Sequence, residues 1–494
     1  MQDYDFGNFL REQRELRGLS QYQLGALVGV SDKAVSKWEN GVSRPQSRIL
    51  GKLCRALGIT VDELLSCELR LFRDEGGAFA MKNDLWNTAY RRMGELFGGN
   101  APALAVDRFE SERAELEGTD MIVGFGLLAR IADRAREAGT RFRALGHTGA
   151  FYTAYLLGAA EIDPLPPHYY CPVCHRTEFV NGISDCWDLP PKKCDCGGEP
   201  LRAGHDIPFE TYRYVIENHA RVGGEVAERF FDEAQQVVKE YFADSGVLKV
   251  TRDDRPENAT FLILPPEHPR SKDGSITYDE YREIYPGFMS VTLMSSRELE
   301  LCRKLESETV TSIDRIPYDD ADVLDAFSRF DIDGIPQFAD GGSGFMKDML
   351  SRVKPKGFSE LVQVQGLLHG TGVWDDNVRQ VIRGGMEIGH MIAYRDDVYS
   401  YMLKKTLEHG ITGNGIAYRI MRDAYRGIIA KDGIDDATRK LFSELGVEEW
   451  FSEALVKIRY LFPRVHGVVF TKYALIMMWY KLHYPETFRS IIIQ

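Results

Sequence analysis

Along the first 67 residues, apolar positions recur at helical rather than strand spacing. Phe6, Leu10, Leu16 and Leu19 mark a first short face. The run Leu19–Val30 then supplies a capping serine, a short apolar helix face and a closing glycine. A second helix is predicted from Ser31, its N-cap, through Asn40. Ala34, Val35 and Trp38 form its inner face, which leaves Lys33, Ser36 and Lys37 pointing outward. Two short helices around a tight glycine turn describe a helix-turn-helix. Periodicity fades after Cys67 and two adjacent glycines appear, so residues 68–84 read as a linker. Further on, RYVIENHARVGGEVAERFFDEAQQVVKEYF (213–242) has the periodicity of an amphipathic helix, and FLILPP (261–266) reads as a buried strand.

Composition narrows the class without naming it. The 494 residues predict about three domains, at roughly 150 residues each. Hydrophobic residues at 44% and charged residues at 27% exclude collagenous and wholly disordered chains. No apolar run approaches the ~18 residues that cross a membrane, and the first ten residues lack the features of a signal peptide. No membrane role is expected, and the cytoplasm is the expected compartment. The net charge of −13 argues against a general DNA-coating role. It is also uneven: residues 1–66 carry nine basic and eight acidic groups, +1, leaving −14 on the rest.

Five of the eight cysteines, Cys171, Cys174, Cys186, Cys194 and Cys196, fall within 26 positions. In a reducing compartment such clustering points to metal rather than disulfides. Cys171-x-x-Cys174 and Cys194-x-Cys196 predict a four-thiolate zinc site. Its role would be structural, because four cysteines leave no coordination position for a water nucleophile. The CxC spacing is tighter than the usual knuckle, and the two glycines after it ease the turn. Cys186, His175 and His205 are spare ligands near in sequence; free thiols in a loop are the alternative.

The words LSQYQLGALVGVSDKAVSKWENGVSRP closely resemble the Cro/repressor (Xre) family over about residues 6–66. That resemblance implies a five-helix domain whose second motif helix enters the major groove of double-stranded DNA. Carried over by position, Ser31, Asp32, Lys33, Ser36 and Lys37 face base edges, while Gln21, Asn40 and Arg44 hold phosphates. At +1, one copy would bind weakly, so a homodimer on a two-fold site is expected. A small bundle used only for protein contact would share the same apolar pattern.

A second resemblance covers residues ~90–212 and 313–494. DPLPPHYYCPVC, GHDIPFET, KPKGFSELV, GLLHGTGVW, YRDDVYSYML and KIRYLFPRVHGVVF, in this order, resemble PolC, of the bacterial DNA polymerase III alpha family. The implied fold is α+β and mostly α: a nucleotidyltransferase-like palm with an inserted zinc knuckle, then helical fingers. The expected boundaries are 1–67 for the reader, 68–84 for the linker, 85–312 for the palm with its knuckle at 168–205, and 313–494 for the fingers. Family chemistry is DNA synthesis with two magnesium ions held by an Asp-x-Asp word after GHDIPFET and a third aspartate further on.

Residues 213–242 contain no Asp-x-Asp, and 288–306 contain no aspartate. No catalytic magnesium is therefore expected. In the nucleotide-phosphate loop Gly146 and Gly149 keep the turn, but Leu145, His147, Ala150 and Phe151 replace the family's arginine and serines, leaving the Thr148 hydroxyl. Asp331-Ile332-Asp333 lies too late to be the metal pair and reads as a solvated turn. Asp396 and Asp397 read as helix N-terminal charges. The resemblance places Lys354, Lys356, His369, Thr371, Arg395, Lys457, Arg459, Arg464 and His466 where polar groups approach nucleotide or nucleic acid; packing of a helical domain is the plainer role. The family's exonuclease and OB domains have no room, and no processive replicase is expected. The expected function is a DNA-binding regulator whose polymerase-like body acts as a sensor or protein-contact module. The alternative is a DNA polymerase with atypical metal ligands.

Overall fold

The computed structural model describes residues 2–492 except 46, 58–77, 118, 214–220, 244–245, 252–256, 265–274, 278, 280–287, 337, 339–342, 380–381 and 383–390. Four helices open it: α1 (Gln2–Leu16), α2 (Gln21–Val28), α3 (Asp32–Glu39) and α4 (Ser47–Leu57). Local chemistry explains α2. The Ser20 hydroxyl accepts from the Gln23 amide while the Gln23 side chain accepts from Ser20, and Gly29 closes the helix at φ 77°. Phe6, Leu10, Leu24, Val35, Trp38 and Leu53 make this unit's own core. A fifth helix of the motif falls outside the described residues, as does 68–77 of the expected linker.

The remainder of that linker is corrected, because α5 (Ala78–Leu96) already begins at Ala78. It buries Trp86, Tyr90 and Met93 in the main core. Then come α6 (Ala103–Leu116), α7 (Met121–Glu137) and β1 (Phe142–Ala144). The helix-turn-helix unit rests on this part of the body. Gln23 Nε2 donates to the Ala101 carbonyl at 3.2 Å, and Leu27 packs on the body's core.

Two sheets follow. The smaller, ordered β3-β2-β4, comprises β2 (His168–Tyr170), β3 (Thr177–Phe179) and β4 (Leu201–Ala203). The larger has the order β1-β5-β9-β7-β6-β8 and includes β5 (Arg221–Ala227), β6 (Gly246–Thr251), β7 (Asn258–Leu264), β8 (Ser275–Thr277) and β9 (Ser290–Ser296). β7 contains the strand expected at FLIL. The helix expected over 213–242 is corrected to β5 followed by α8 (Phe231–Tyr241). The adjacent Gly223 and Gly224 weaken a helix. Val222 and Val226 instead bury themselves in a strand paired parallel to β9 and antiparallel to β1. α7 packs closely on β5, because a Cβ at Gly124 would meet Val222 at 2.8 Å.

After β9 the chain is mostly helical. α9 (Arg297–Thr309) is capped by the Ser296 hydroxyl, and α10 (Phe358–His369), α11 (Arg395–Glu408) and α12 (Arg464–His483) build the C-terminal region. α12 is buried along most of its length. The fold is α+β and mostly helical. Among the described residues no helix is long and apolar enough to cross a membrane.

Candidate functional site

In the N-terminal unit, Val35 and Trp38 anchor α3, while Asp32, Lys33 and Lys37 are exposed and Ser36 is half-buried. Ser31 occupies the N-cap, yet its hydroxyl makes no cap bond. The three residues assigned to phosphates have partners within the protein. Gln21 Nε2 donates to Glu39 at 2.8 Å, and Glu39 is also held by buried Arg14. Asn40 accepts from Arg11 at 2.9 Å, and the Arg44 guanidinium lies 5.3 Å over the Phe6 ring. Tyr22 and Val42 are large apolar side chains left 71% and 70% exposed in this unit.

The inserted sheet brings the four predicted cysteines together. The sulfurs of Cys171, Cys174, Cys194 and Cys196 all lie within 4.8 Å of one another, with Cys171–Cys196 and Cys174–Cys194 both at 3.5 Å. Tetrahedral zinc at ~2.3 Å from each sulfur needs sulfur–sulfur separations of about 3.8 Å, so the donor set fits the ion. Backbone N–H groups of Cys174 and Val173 help bring the Cys171 thiol down to about 6. The spare ligands do not join. His175 pairs with the Tyr170 hydroxyl at 2.7 Å. Cys186 and His205 form a separate buried cluster, with His205 Nδ1 3.0 Å from Asp185.

That second cluster ties the insert to the C-terminal helices. Arg464 Nη2 donates to Asp185 at 2.7 Å. Both Asp188 oxygens accept from the first turn of α10, at Phe358 and Ser359. A carboxylate there satisfies orphan amides and complements the helix dipole. Asp397 likewise accepts from Ala393 and Tyr394, and burial raises its carboxyl to about 6. Asp396 accepts from Thr211 and from the Arg464 amide. Asp331 pairs with Lys481 at 2.5 Å on an exposed turn.

At the head of the large sheet, Arg143 on β1 lies opposite Glu225 on β5 and donates to it at 2.6 Å. It also pairs with Glu298 in the first turn of α9, while Tyr473 covers its guanidinium at 4.8 Å. Glu225 is in register with Met294 on β9. Side chains cannot be added at Gly223 or Gly224 without movement, because Leu145 and Phe142 fill the space. The 146–149 loop, which follows β1, packs against the start of α12. Gly146 donates to His466 Nε2 at 2.8 Å, and Thr148 accepts from Gly223. Burial pushes both His147 and His466 down to about 3, helped by nearby arginines. The described residues contain one cluster of metal-ligating type, the four cysteines.

The remaining predicted contacts divide by exposure. Lys354, Lys356, Thr371, Lys457 and Arg459 are at the surface. Arg395 is buried over the Tyr212 ring at 4.3 Å, Arg464 is buried on Asp185, and His369 stacks on Phe462 at 4.7 Å.

Comparison with known proteins finds two family matches. Residues 10–64 match the family described as Helix-turn-helix, and residues 295–412 match the bacterial DNA polymerase III alpha subunit finger domain. The molecule therefore joins a helix-turn-helix domain to a polymerase III alpha-type body. It is similar to the PolC-type DNA polymerase III of Staphylococcus haemolyticus and of Staphylococcus aureus, each 26% identical over 473 residues. The match covers 80% of this chain and 32% of each relative, so the chain spans about a third of the length of the curated relatives it matches.

Proposed function

We propose that the protein is a sequence-specific DNA-binding regulator whose PolC-like body acts as a sensor or interaction module rather than as a polymerase. The observation that carries this reading is the build of α3: Val35 and Trp38 anchor it while Lys33 and Lys37 project into solvent. Ser31, Asp32, Lys33, Ser36 and Lys37 read bases. Gln21, Asn40 and Arg44 shape and flank the contact surface, and Tyr22 adds a phosphate-facing hydroxyl. A homodimer on a two-fold site makes up for the low charge of one unit.

The body supports loss of two-metal chemistry by what occupies its sheet. Such chemistry needs carboxylates free to clamp two cations, whereas Glu225 and Glu298 are both bound by the Arg143 guanidinium. Exposed Lys354, Lys356 and Thr371 remain able to touch nucleic acid. Arg395, Arg464, His369 and His466 serve mainly to pack the C-terminal helices. The four thiolates of Cys171, Cys174, Cys194 and Cys196 hold a structural zinc ion, and the expected setting is the cytoplasm.

The test uses duplexes selected by the protein from a random pool. Lys33→Ala with Lys37→Ala abolishes binding while the circular dichroism spectrum is unchanged, each contact being worth about 1–3 kcal/mol. Undiminished binding overturns the assignment. Primer extension with magnesium or manganese gives no template-dependent incorporation; incorporation restores the polymerase reading.

A further inference from the structure

The chain around the end of α5 touches two parts of the molecule at once. On one side it carries the cysteine knuckle. A Cβ at Gly98 would stand 2.1 Å from the His175 ring, and Gly98 has φ 57°, so glycine is what admits this approach. His175 is itself held at φ 59°, and its amide donates to the Cys171 carbonyl at 2.8 Å. The Phe97 ring meets Tyr170 edge-on at 5.6 Å, and the Tyr170 hydroxyl pairs with His175. On the other side the same stretch carries the helix-turn-helix unit. The Ala101 carbonyl accepts from Gln23, and a Cβ at Gly94 would stand 3.7 Å from the Gly18 carbonyl oxygen. Residues 94–101 therefore bridge the knuckle and the helix-turn-helix unit.

The chemistry of the knuckle decides what moves this bridge. Cys171 and Cys174 bracket the turn that ends in His175, so the place of that ring depends on what holds the two sulfurs. Zinc in a closed four-thiolate site is not lost by simple dilution. It leaves when the thiolates are consumed. Cys174 and Cys196 are exposed, which opens them to a soluble oxidant. Each also has a neighbouring sulfur at 3.5 Å, Cys194 for Cys174 and Cys171 for Cys196. Closing a bond within each pair destroys the tetrahedral donor set.

We propose that the knuckle is an oxidant-sensitive input to the helix-turn-helix unit: a hydroperoxide converts its four thiolates to two disulfides, zinc leaves, and residues 94–101 no longer hold the unit in place. In each pair one thiolate attacks the peroxide, the O–O bond breaks and a sulfenic acid forms. The partner thiolate then attacks that sulfur, the S–S bond forms and the oxygen departs as water. Four thiolates give up four electrons in all. Two hydrogen peroxide molecules take them, with four protons, to give four waters, and zinc is released as the divalent ion. α3 stays folded throughout; what changes is how its unit is held. The effect on DNA rests on the regulatory reading above, whereas the effect on residues 94–101 does not.

The test treats the full, zinc-loaded chain with hydrogen peroxide and follows zinc with a chelating dye. Zinc is released, peptide mapping finds disulfides Cys171–Cys196 and Cys174–Cys194, and dithiothreitol with zinc reverses both. Hydrogen exchange rises at Gly99 and Asn100, whose amides donate to the Gly94 and Phe97 carbonyls, while α3 keeps its protection. Affinity for a duplex selected from a random pool, read by anisotropy, falls at least about fivefold. His175→Asn suits the positive φ and keeps every cysteine, but it takes the ring away from Gly98. It releases zinc as before, yet exchange at 99–100 and DNA affinity no longer respond to peroxide. Because its other cysteines are intact, oxidation elsewhere would still act in it. Zinc retained under peroxide, unchanged exchange at 99–100 on release, or an undiminished response in His175→Asn overturns the switch. Raised exchange with unchanged affinity overturns its transmission to DNA. A reduced chain that binds no duplex overturns the regulatory reading instead, and exchange at 99–100 still judges the bridge.

Discussion

At the scale of single residues, Arg143 decides what the body can do. Its guanidinium is 4% exposed and neutralises two carboxylates 82 and 155 positions away in sequence. Removing one partner from a buried ion pair leaves an uncompensated charge and costs about 3–5 kcal/mol. Arg143→Met therefore lowers the urea midpoint sharply at pH 8. The loss shrinks at pH 5, because Glu298, whose carboxyl burial already raises, takes up a proton in place of the lost cation. Equal losses at both pH values would show that packing against Tyr473, not charge, is what Arg143 supplies. His147 and His466 give the opposite slope. Their folded-state values near 3 lie below the ordinary ~6.5, so the unfolded chain binds more protons between those limits. Stability is present above pH 6.5 and falls as pH drops below it. Replacing both by Gln flattens the fall in urea midpoint between pH 7 and pH 5.

At the scale of elements, the cysteine knuckle and α3 contrast with the large sheet. The cysteine cluster is local, so its removal should act locally. Chelation, or Cys174→Ser with Cys194→Ser, releases one zinc per chain. Hydrogen exchange then rises in β2, β3 and β4 while α3 keeps its protection; unchanged exchange in β2–β4 would mean that the sheet stands without metal. Locality also explains what was legible from sequence. The capping box of α2, the apolar face of α3 and the paired cysteines each lie within a short span, where side-chain spacing carries the physics. β5 was misread because its identity comes from pairing with β9, some 69 positions later (Arg221 with Ser290), which no local period reveals. Arg395 and Arg464 were legible as family words, but not as buried groups. Asp185 sits 279 positions from Arg464, and only the folded chain brings them together.

For the whole molecule, the question is how firmly the helix-turn-helix unit is held to a body of opposite charge balance. The unit has its own core, and its described contacts with the body include Leu27, the Gln23–Ala101 bond and the approach of Gly18 to Gly94 on α5. Gln23 performs two tasks with two atoms. Its Oε1 completes the α2 capping box by accepting from Ser20 at 2.7 Å, and its Nε2 donates to the Ala101 carbonyl. Gln23→Glu separates them. A glutamate still accepts from the Ser20 amide, so α2 remains capped. Its second oxygen faces a carbonyl with no proton between them, which turns an attraction into a repulsion. The unit should stay folded yet loosen from the body, with faster hydrogen exchange across residues 101–107 and unchanged helix content. Whether DNA affinity follows is set by what the docking does. If docking holds α3 in its reading orientation, affinity falls in Gln23→Glu. If docking restrains the unit, affinity rises. An unchanged affinity despite faster exchange at 101–107 would make the unit an independent reader, and the body a passenger in DNA binding.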